Sequence, residues 1–445
     1  MQPTRMNPSV SRAACAAVLL AAGGVVVSAR AAQPTGDAIV PAALNAEIAG
    51  VRRVLLDAEG RRRVVDILGL KDGVLQTRDP VGRPRAVAVA SVVAILPPLE
   101  GVRQTVEWIN LDGEQRGTLY LTDGQVLPGH VAPVVGAAEQ VDWIATGPQL
   151  HSARFSIALE RVAGARLGGS IGTPSAVRVK DQASTPALGP TPSKDIVTLA
   201  NGDLAQGFVT RVGEVISLEV GGKTNDYPAT RVDRVRLANP GARASGARLW
   251  LTGGAVVNVA SVKPTETGGV AATIGDATGT PAGVWAWSDI AAYTNDASRL
   301  APLAALTMRT REATSDTGDR VTIGETTTAA LGAADVLIPG PMVAEWALPE
   351  QARRFSASLE LPESCRRWGD PTVVIELVAG GGPARELFRE RLTGDRAQAE
   401  VNVALDSAKA AASTLRIRVE AGDTGAIQDR VLIRQGVVLC EPRRP

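Results

Sequence analysis

Aromatic residues make up only 3% of the 445 residues, histidine occurs twice and cysteine three times. Each shortage removes a class of function. His130 and His151 stand beside no nucleophile motif and are too few for a general base with its partners or for a zinc ligand set. No cysteine–histidine spacing marks a metal site. An excess of one charge is missing too: 47 Lys and Arg face 46 Asp and Glu. A near-neutral chain has no global electrostatic claim on nucleic acid or an anionic membrane. Sustained helical periodicity is absent from residues 38–300, and no cofactor motif interrupts the chain, so no cofactor is expected.

The first 31 residues read as an export signal. Arg5 and Arg12 precede any acidic residue, Ala13 to Val27 is moderately apolar, and Ala29-Arg30-Ala31 gives a small-x-small cleavage pattern. The apolar stretch is too short for a comfortable membrane span, and no transmembrane anchor is expected after cleavage. Losing Arg5, Arg12 and Arg30 turns 47 basic residues into 44 against 46 acidic ones, a net charge of about −2. The run Arg52, Arg53, Arg61, Arg62 and Arg63 alternates with Val54, Leu55, Val64 and Val65 and is expected to form a solvated strand face. Cys15 leaves with the signal. Cys365 and Cys440 remain, and in an oxidising compartment they read as one disulfide.

What the chain does contain is a recurring β unit. It opens with a turn at Gly60, Gly124, Gly202 and Gly254, and closes on an apolar pair three residues apart: Val92 and Ile95, Val162 and Ala165, Val232 and Val235, Ile290 and Tyr293. Asp123-Gly124 and Asn201-Gly202 are strong hairpin signals. Four or five short strands in about fifty residues, closed by a one-turn helix, predict a small SH3-like barrel. Such a unit buries little surface alone, so neighbours are expected to pack together. Residues 168–194, rich in Gly, Pro, Ser and Thr, read as a linker. It divides units one and two (38–167) from units three and four (195–300), a pair of pairs.

From residue 301 to 440 the pattern changes to longer alternating strands, near residues 343–348, 354–361, 372–378, 387–392, 400–405, 414–419 and 430–434. Regular strands with Gly, Pro and Asp turns predict a β-sandwich. The fold class is all-β: tandem small barrels followed by a jelly-roll sandwich. The runs Ala344-Glu345-Trp346-Ala347-Leu348-Pro349 and Ala352-Arg353-Arg354-Phe355-Ser356-Ala357, with Leu387-Phe388, Gly422-Asp423 and Asp429, resemble the NPCBM family of carbohydrate-binding modules of bacterial secreted proteins. That resemblance implies a galactose-binding-like jelly-roll and attachment to glycans. Departures are that residues 324–342 hold no histidine, that Gly380-Gly381-Gly382 replaces an Asp-Gly hairpin, and that Ile433 replaces a tryptophan.

Tryptophans and loop charges are the binding candidates. Trp368 falls in a loop with Arg366, Arg367 and Asp370, where an exposed indole stacks on sugar rings. Trp285 and Trp287 flank Ala286 and project from one strand face, either as a stacking platform or as the core of unit four. Trp346 and Phe355 are expected in the sandwich core. Asp423 and Asp429 are candidate calcium ligands or turn formers. Asp-Thr-Gly occurs at residues 316–318 and 423–425, but without the flanking hydrophobic strands that an aspartic protease requires. The expectation is an exported, periplasmic, envelope or extracellular protein without catalysis, whose partner is a glycan or cell-wall polysaccharide. A protein–protein scaffold of the envelope is the first alternative. A hydrolase with an interdomain site is the second.

Overall fold

The computed structural model describes residues 50–99, 117–133, 139–146, 150, 153–167, 192–242, 244–265, 269–274, 282–313, 321–323, 335–379, 382–405, 413–423 and 425–441. The expected signal, residues 168–191 of the linker, His151 and the first Asp-Thr-Gly lie outside the described residues.

Four hairpin glycines set the pattern of the first part. Gly60, Gly124, Gly202 and Gly254 take φ between 72° and 92°, a left-handed conformation that side chains disfavour. Each donates its N–H three residues back, to the carbonyls of Asp57, Leu121, Leu199 and Leu251. Unit one comprises β1 (Val51–Asp57), β2 (Arg62–Lys71), β3 (Val74–Arg78), β4 (Pro84–Ala88) and β5 (Val92–Leu96). Unit two follows with β6 (Gly117–Leu121), β7 (Val126–Val131), β8 (Gln140–Ala145), β9 (Ala153–Ala158) and β10 (Val162–Arg166). Unit three is β11 (Asp195–Leu199), β12 (Leu204–Arg211), β13 (Val215–Val220), β14 (Lys223–Pro228) and β15 (Val232–Arg236). Unit four is β16 (Ala247–Leu251), β17 (Val256–Pro264), β18 (Val270–Ile274), β19 (Ala282–Trp285) and β20 (Ile290–Thr294).

In every unit a one-turn 3-10 helix separates the fourth and fifth strands. The fifth strand returns antiparallel to the first. The second strand serves both neighbours: its first half pairs with the first strand and its later part with the third. Bending one strand between two partners closes a small barrel, as the sequence pattern predicts. Its inward side chains in unit three, Val197, Val209, Ile216, Leu218, Val232 and Val235, are all buried.

The linker is not the boundary that the sequence suggests. β10 pairs with β15, placing Ala165 opposite Val235, so unit two joins unit three across residues 168–194. β20 pairs with β5, placing Tyr293 opposite Ile95, so unit four joins unit one. β7 meets β17 at Val126 opposite Val256. The spatial order is three, two, four, one. The closing strand has a second edge left open after it returns to the first strand, and it satisfies that edge with the equivalent strand of another unit. The units so joined are sequence neighbours in one case, two and three, and the first and last of the array in the other, one and four.

The last part builds β21 (Leu300–Pro302), β22 (Met308–Ala313), β23 (Thr322–Ile323), β24 (Val336–Pro339), β25 (Met342–Ala347), β26 (Ala352–Glu360), β27 (Thr372–Val378), β28 (Ala384–Arg391), β29 (Gln398–Ala404), β30 (Thr414–Glu420) and β31 (Arg430–Cys440). One sheet runs β23-β24-β31-β26-β29 with β21 also on β31, and the other β22-β25-β30-β27-β28. Most connections after β24 cross between the sheets, as in a jelly-roll sandwich. Trp346, Phe355, Leu359, Ile375, Ile417 and Ile433 fill the space between them. Trp346 and Phe355 are core residues, as their alternation implies.

Unit one is seated on this sandwich. Arg62 donates to Ser356 Oγ at 3.0 Å, to the Gln435 carbonyl at 2.6 Å and to Gln435 Oε1 at 3.3 Å. Ser356 donates to the Gly60 carbonyl, Asn402 to the Glu59 carbonyl, and the Gln435 amide to the Pro97 carbonyl. Beside these bonds Val54, Leu56, Val93, Leu96, Trp250, Val437 and Leu439 form a small apolar core shared by units one and four and β31. The strand run Val54-Leu55-Leu56 is therefore buried on both faces.

Three expectations are corrected here. The arginine run is not wholly solvated: Arg53 is buried, donates to the Trp287 and Ile290 carbonyls at 2.8 Å, and is pushed down to about 10 by burial. Arg62 is buried as well, and burial pushes its pKa down. No disulfide joins Cys365 and Cys440. Cys440 sits opposite Ala352 at the start of β26, whereas Cys365 follows the far end of that strand. Nine residues of strand separate them by about 25–30 Å, against the roughly 4–7 Å that bridged Cα atoms require. Trp285 and Trp287 are no stacking platform, because both are buried in the core of unit four.

Candidate functional site

Three surfaces of the sandwich bear on a site: one is partly covered, one is internally charge-paired, and one is a set of loops. Unit one covers part of the outer face of the sheet that contains β26 and β31, which is why outward-facing Ser356 is buried. The open face of the other sheet carries a lattice of alternating charge. Arg416 bonds Glu345 at 2.7 Å, Arg418 bonds Glu376 and Glu420 at 3.3 Å, and Arg389 bonds Glu420 at 3.0 Å and Glu386 at 2.8 Å. Cross-strand pairs of opposite sign satisfy one another and leave this face largely self-compensated. The loops at one end of the sandwich are the third surface.

Leu361-Pro362 ends β26, and a 3-10 turn at Glu363–Cys365 sends the Cys365 side chain into the core. The next three residues point outward. Arg366 bonds the Leu361 carbonyl at 3.3 Å and pairs with Glu360 at 3.5 Å, so it ties the loop to the strand that precedes it. Arg367 lies over the Trp368 ring, 5.1 Å from its centroid, and forms no ion pair among the described residues. Trp368 itself is 52% exposed. The chain then turns back at Gly369, where a Cβ would stand 2.6 Å from the Gln428 carbonyl oxygen. Only glycine lets these two loops touch so closely.

Two inward carboxylates staple the loops together. Asp429 is fully buried and accepts from the N–H groups of Asp370 and Gly422, both at 2.9 Å. Burial pushes its carboxyl above the usual range, against those same hydrogen bonds. Asp370 accepts from Arg391 at 2.5 Å and from the Asp423 N–H at 3.0 Å. Arg391 also bonds Asp423 at 2.7 Å, and these partners hold its guanidinium above its ordinary range. The calcium reading of Asp423 and Asp429 is thereby corrected: Asp429 serves backbone N–H groups, Asp423 serves Arg391, and the described residues hold no cluster of metal-ligating side chains.

Of the residues anticipated for a site, Trp368, Arg366, Arg367 and Asp370 fall within one loop, with Asp370 as its anchor and Trp368 and Arg367 as its exposed face. Arg391 and the exposed Ile427 on the adjoining loop escape sequence reasoning. Arg391 ends a run of alternating charges, Arg385 to Arg391, that reads as any solvated strand. His130 is exposed on β7, far along the chain from this cluster. Chemically the site is a rigid aromatic face beside a guanidinium, suited to stacking and hydrogen bonding.

No protein-family model matches the chain, and no curated protein does. The NPCBM resemblance accordingly rests on the residues alone. Among solved structures the chain is similar to CBM51 from a Clostridium perfringens GH95 protein in complex with methyl-galactose, at 15% identity over 24% of this chain and 69% of that chain, with a TM-score of 0.20. The CBM51-2 and INT domains of Clostridium perfringens ZmpB are similar at 10% identity over 41% of this chain and 40% of that chain, with a TM-score of 0.23. A C-terminal family 22 carbohydrate binding module of Clostridium thermocellum Xyn10B is similar at 16% identity over 30% of this chain and 85% of that chain, with a TM-score of 0.20. Among the described residues no helix is long and apolar enough to cross a membrane.

Proposed function

We propose that the chain is an exported, non-catalytic protein of the periplasm, cell envelope or extracellular space that binds carbohydrate through the loop end of its C-terminal sandwich. One observation carries this reading. Among the described residues Trp368 is the tryptophan left exposed, while Trp143, Trp250, Trp285, Trp287 and Trp346 are all buried. A chain with so few aromatics that presents one on a stapled loop, with Arg367 across its ring, offers what a pyranose needs. The sugar's C–H face stacks on the indole and its hydroxyls accept from the guanidinium. The loop is pre-organised by Asp370 and Asp429, so little ordering entropy is lost on binding. The four barrels join in the order three, two, four, one, and units one and four pack on β31 of the sandwich.

The test is binding of the full chain to a glycan array and to cell-wall polysaccharide, with Trp368→Ala beside it. Saturable binding lost in the variant is expected. No binding by the folded wild type refutes the reading. A protein scaffold is the second reading, favoured by a specific feature of unit three: Leu204 and Phe208 are 66% and 65% exposed, on a module far from the loop site in the array.

A further inference from the structure

The four barrels join through two kinds of contact, used alternately. In the first, closing strands pair: Ala165 opposite Val235, and Tyr293 opposite Ile95. These are equivalent positions of the repeat, each three residues after the start of its closing strand. Equivalent residues facing each other in antiparallel strands define a local two-fold axis. In the second kind, the start of the second strand is used. Val126 and Val256 face each other, and both lie two residues after the hairpin glycine, so this contact too is two-fold. Its polar rim is built from the same hairpin: Asn258 N–H donates to Gln125 Oε1 and Asn258 Nδ2 to Asp123 Oδ2, both at 2.8 Å, and Arg248 donates to the Asp123 carbonyl at 2.9 Å.

Four units thus offer four second-strand surfaces. Units two and four use theirs on each other. Unit one carries Arg62 at the equivalent position and spends it on the sandwich, through Ser356 and Gln435. Unit three carries Leu204 there, exposed, with Gln206 and Phe208 following on the same strand face and Val220 exposed nearby on β13. Between Leu204 and Gln206, β12 pairs with β11 on one side only. Among the described residues nothing pairs with the other edge. Unit three is also the terminal barrel of the array, where a repeat protein needs a cap that hides its apolar face.

We propose that two copies of this chain associate through unit three, β12 against β12, in the two-fold geometry that β7 and β17 use within one chain. The occupant is a second copy because the contact is self-complementary at equivalent positions, as a two-fold interface requires. Leu204 takes the place of both valines, and Phe208 adds apolar area beyond them. The polar rim is kept in part: Gln206 stands where Asn258 stands, and Asn201 and Asp203 stand where Asp123 and Gln125 stand, while Ile196 replaces Arg248 and contributes apolar contact instead. Asn201 and Asp203 bond each other across the turn at 2.7 Å, presenting oxygens to a side-chain amide from the facing strand. Arg62 explains why unit one does not pair this way: it would set two guanidiniums on one axis. Pairing at unit three, the end of the array that does not contact the sandwich among the described residues, leaves both sandwiches uncovered and makes the assembly bivalent for whatever the sandwich holds.

The test is the molar mass of the full chain by light scattering across a range of concentrations, with Leu204→Lys and Leu204→Cys. Expected are a concentration-dependent dimer, its loss in Leu204→Lys with the thermal melt unchanged, and a covalent dimer of Leu204→Cys under mild oxidation. A wild type that stays monomeric overturns the proposal, as does a dimer that Leu204→Lys leaves intact or that Leu204→Cys fails to cross-link. A monomer whose patch is instead protected by a different protein overturns it too.

Discussion

Replacing Arg62 with methionine separates the seating of unit one on the sandwich from the stability of either part. Methionine keeps an unbranched stem of similar length and removes the guanidinium. Three hydrogen bonds go with it, one to Ser356 and two to Gln435. The Gln435 carbonyl, left facing a covered junction, loses its donor. A hydrogen bond from a charged group contributes about 1.5–3 kcal/mol, and an orphaned buried acceptor costs about 1–3 kcal/mol. Relief of the buried charge offsets part of this, because burial already lowers the Arg62 pKa, although the attraction of Glu400, 3.9 Å away, is lost with it. The net loss expected is about 2–4 kcal/mol, located at the junction. The assay is urea unfolding followed by tryptophan emission and by far-ultraviolet circular dichroism. The two probes are expected to move apart in the variant, since the sandwich is then free to unfold independently of the barrels. Gln435→Ala combined with Arg62→Met is expected to cost clearly less than the two singly added. Arg61→Met, one residue away and exposed, serves as control. A midpoint for Arg62→Met no lower than that of Arg61→Met refutes the reasoning.

Other consequences are equally direct. Cys365 and Cys440 are expected to titrate as two thiols in denaturant without reductant, and reductant is expected to leave the melting temperature unchanged; one missing pair of thiols would contradict the strand geometry. Trp285→Ala is expected to cost about 3–5 kcal/mol by urea titration, as deletion of a buried tryptophan does, with glycan affinity preserved; retained stability would show that the indole is not core. Burial raises the Asp335 carboxyl above its ordinary range. A raised folded-state value favours the protonated form, so its contribution is complete below the unfolded carboxyl range and is lost as pH rises through the folded value. Asp335→Asn is therefore expected to flatten that loss in stability on going from acid to neutral pH, measured as urea midpoints; a steeper fall would reverse the sign.

Sequence alone carries the strands well and the partners of their outer faces poorly. All seven sandwich strands anticipated after residue 342 are present, because alternation of apolar residues, as in Phe355, Ala357 and Leu359, follows directly from the pleat. β21 to β24 are missed: the first is three residues long and the third two, too short for a period to register. Alternation places Arg62 with Leu56 on the side away from the barrel core, but it does not reveal that the sandwich lies there; Arg53 shares the face of Leu55 and Val65, and its burial against the Trp287 and Ile290 carbonyls is equally invisible to the pattern. The same blindness applies to Trp285 and Trp287. Their shared face is legible; whether it looks inward depends on the barrel closing around them. At the candidate site the exposed Trp368 and Arg367 are found from composition and loop signals. Asp370, Arg391 and the pair Asp423 and Asp429 come from the β26–β27 loop, the end of β28 and the β30–β31 loop, and their network exists only once the sandwich has folded.

Hydrogen exchange of the full chain with and without a polysaccharide that it retains on a glycan array is the most direct test of the account. Protection confined to residues 361–371 and 421–429 of the sandwich is predicted, together with its disappearance in Trp368→Ala. Protection on the barrels instead, or on the open charged sheet with the Trp368 loop unchanged, contradicts the assignment.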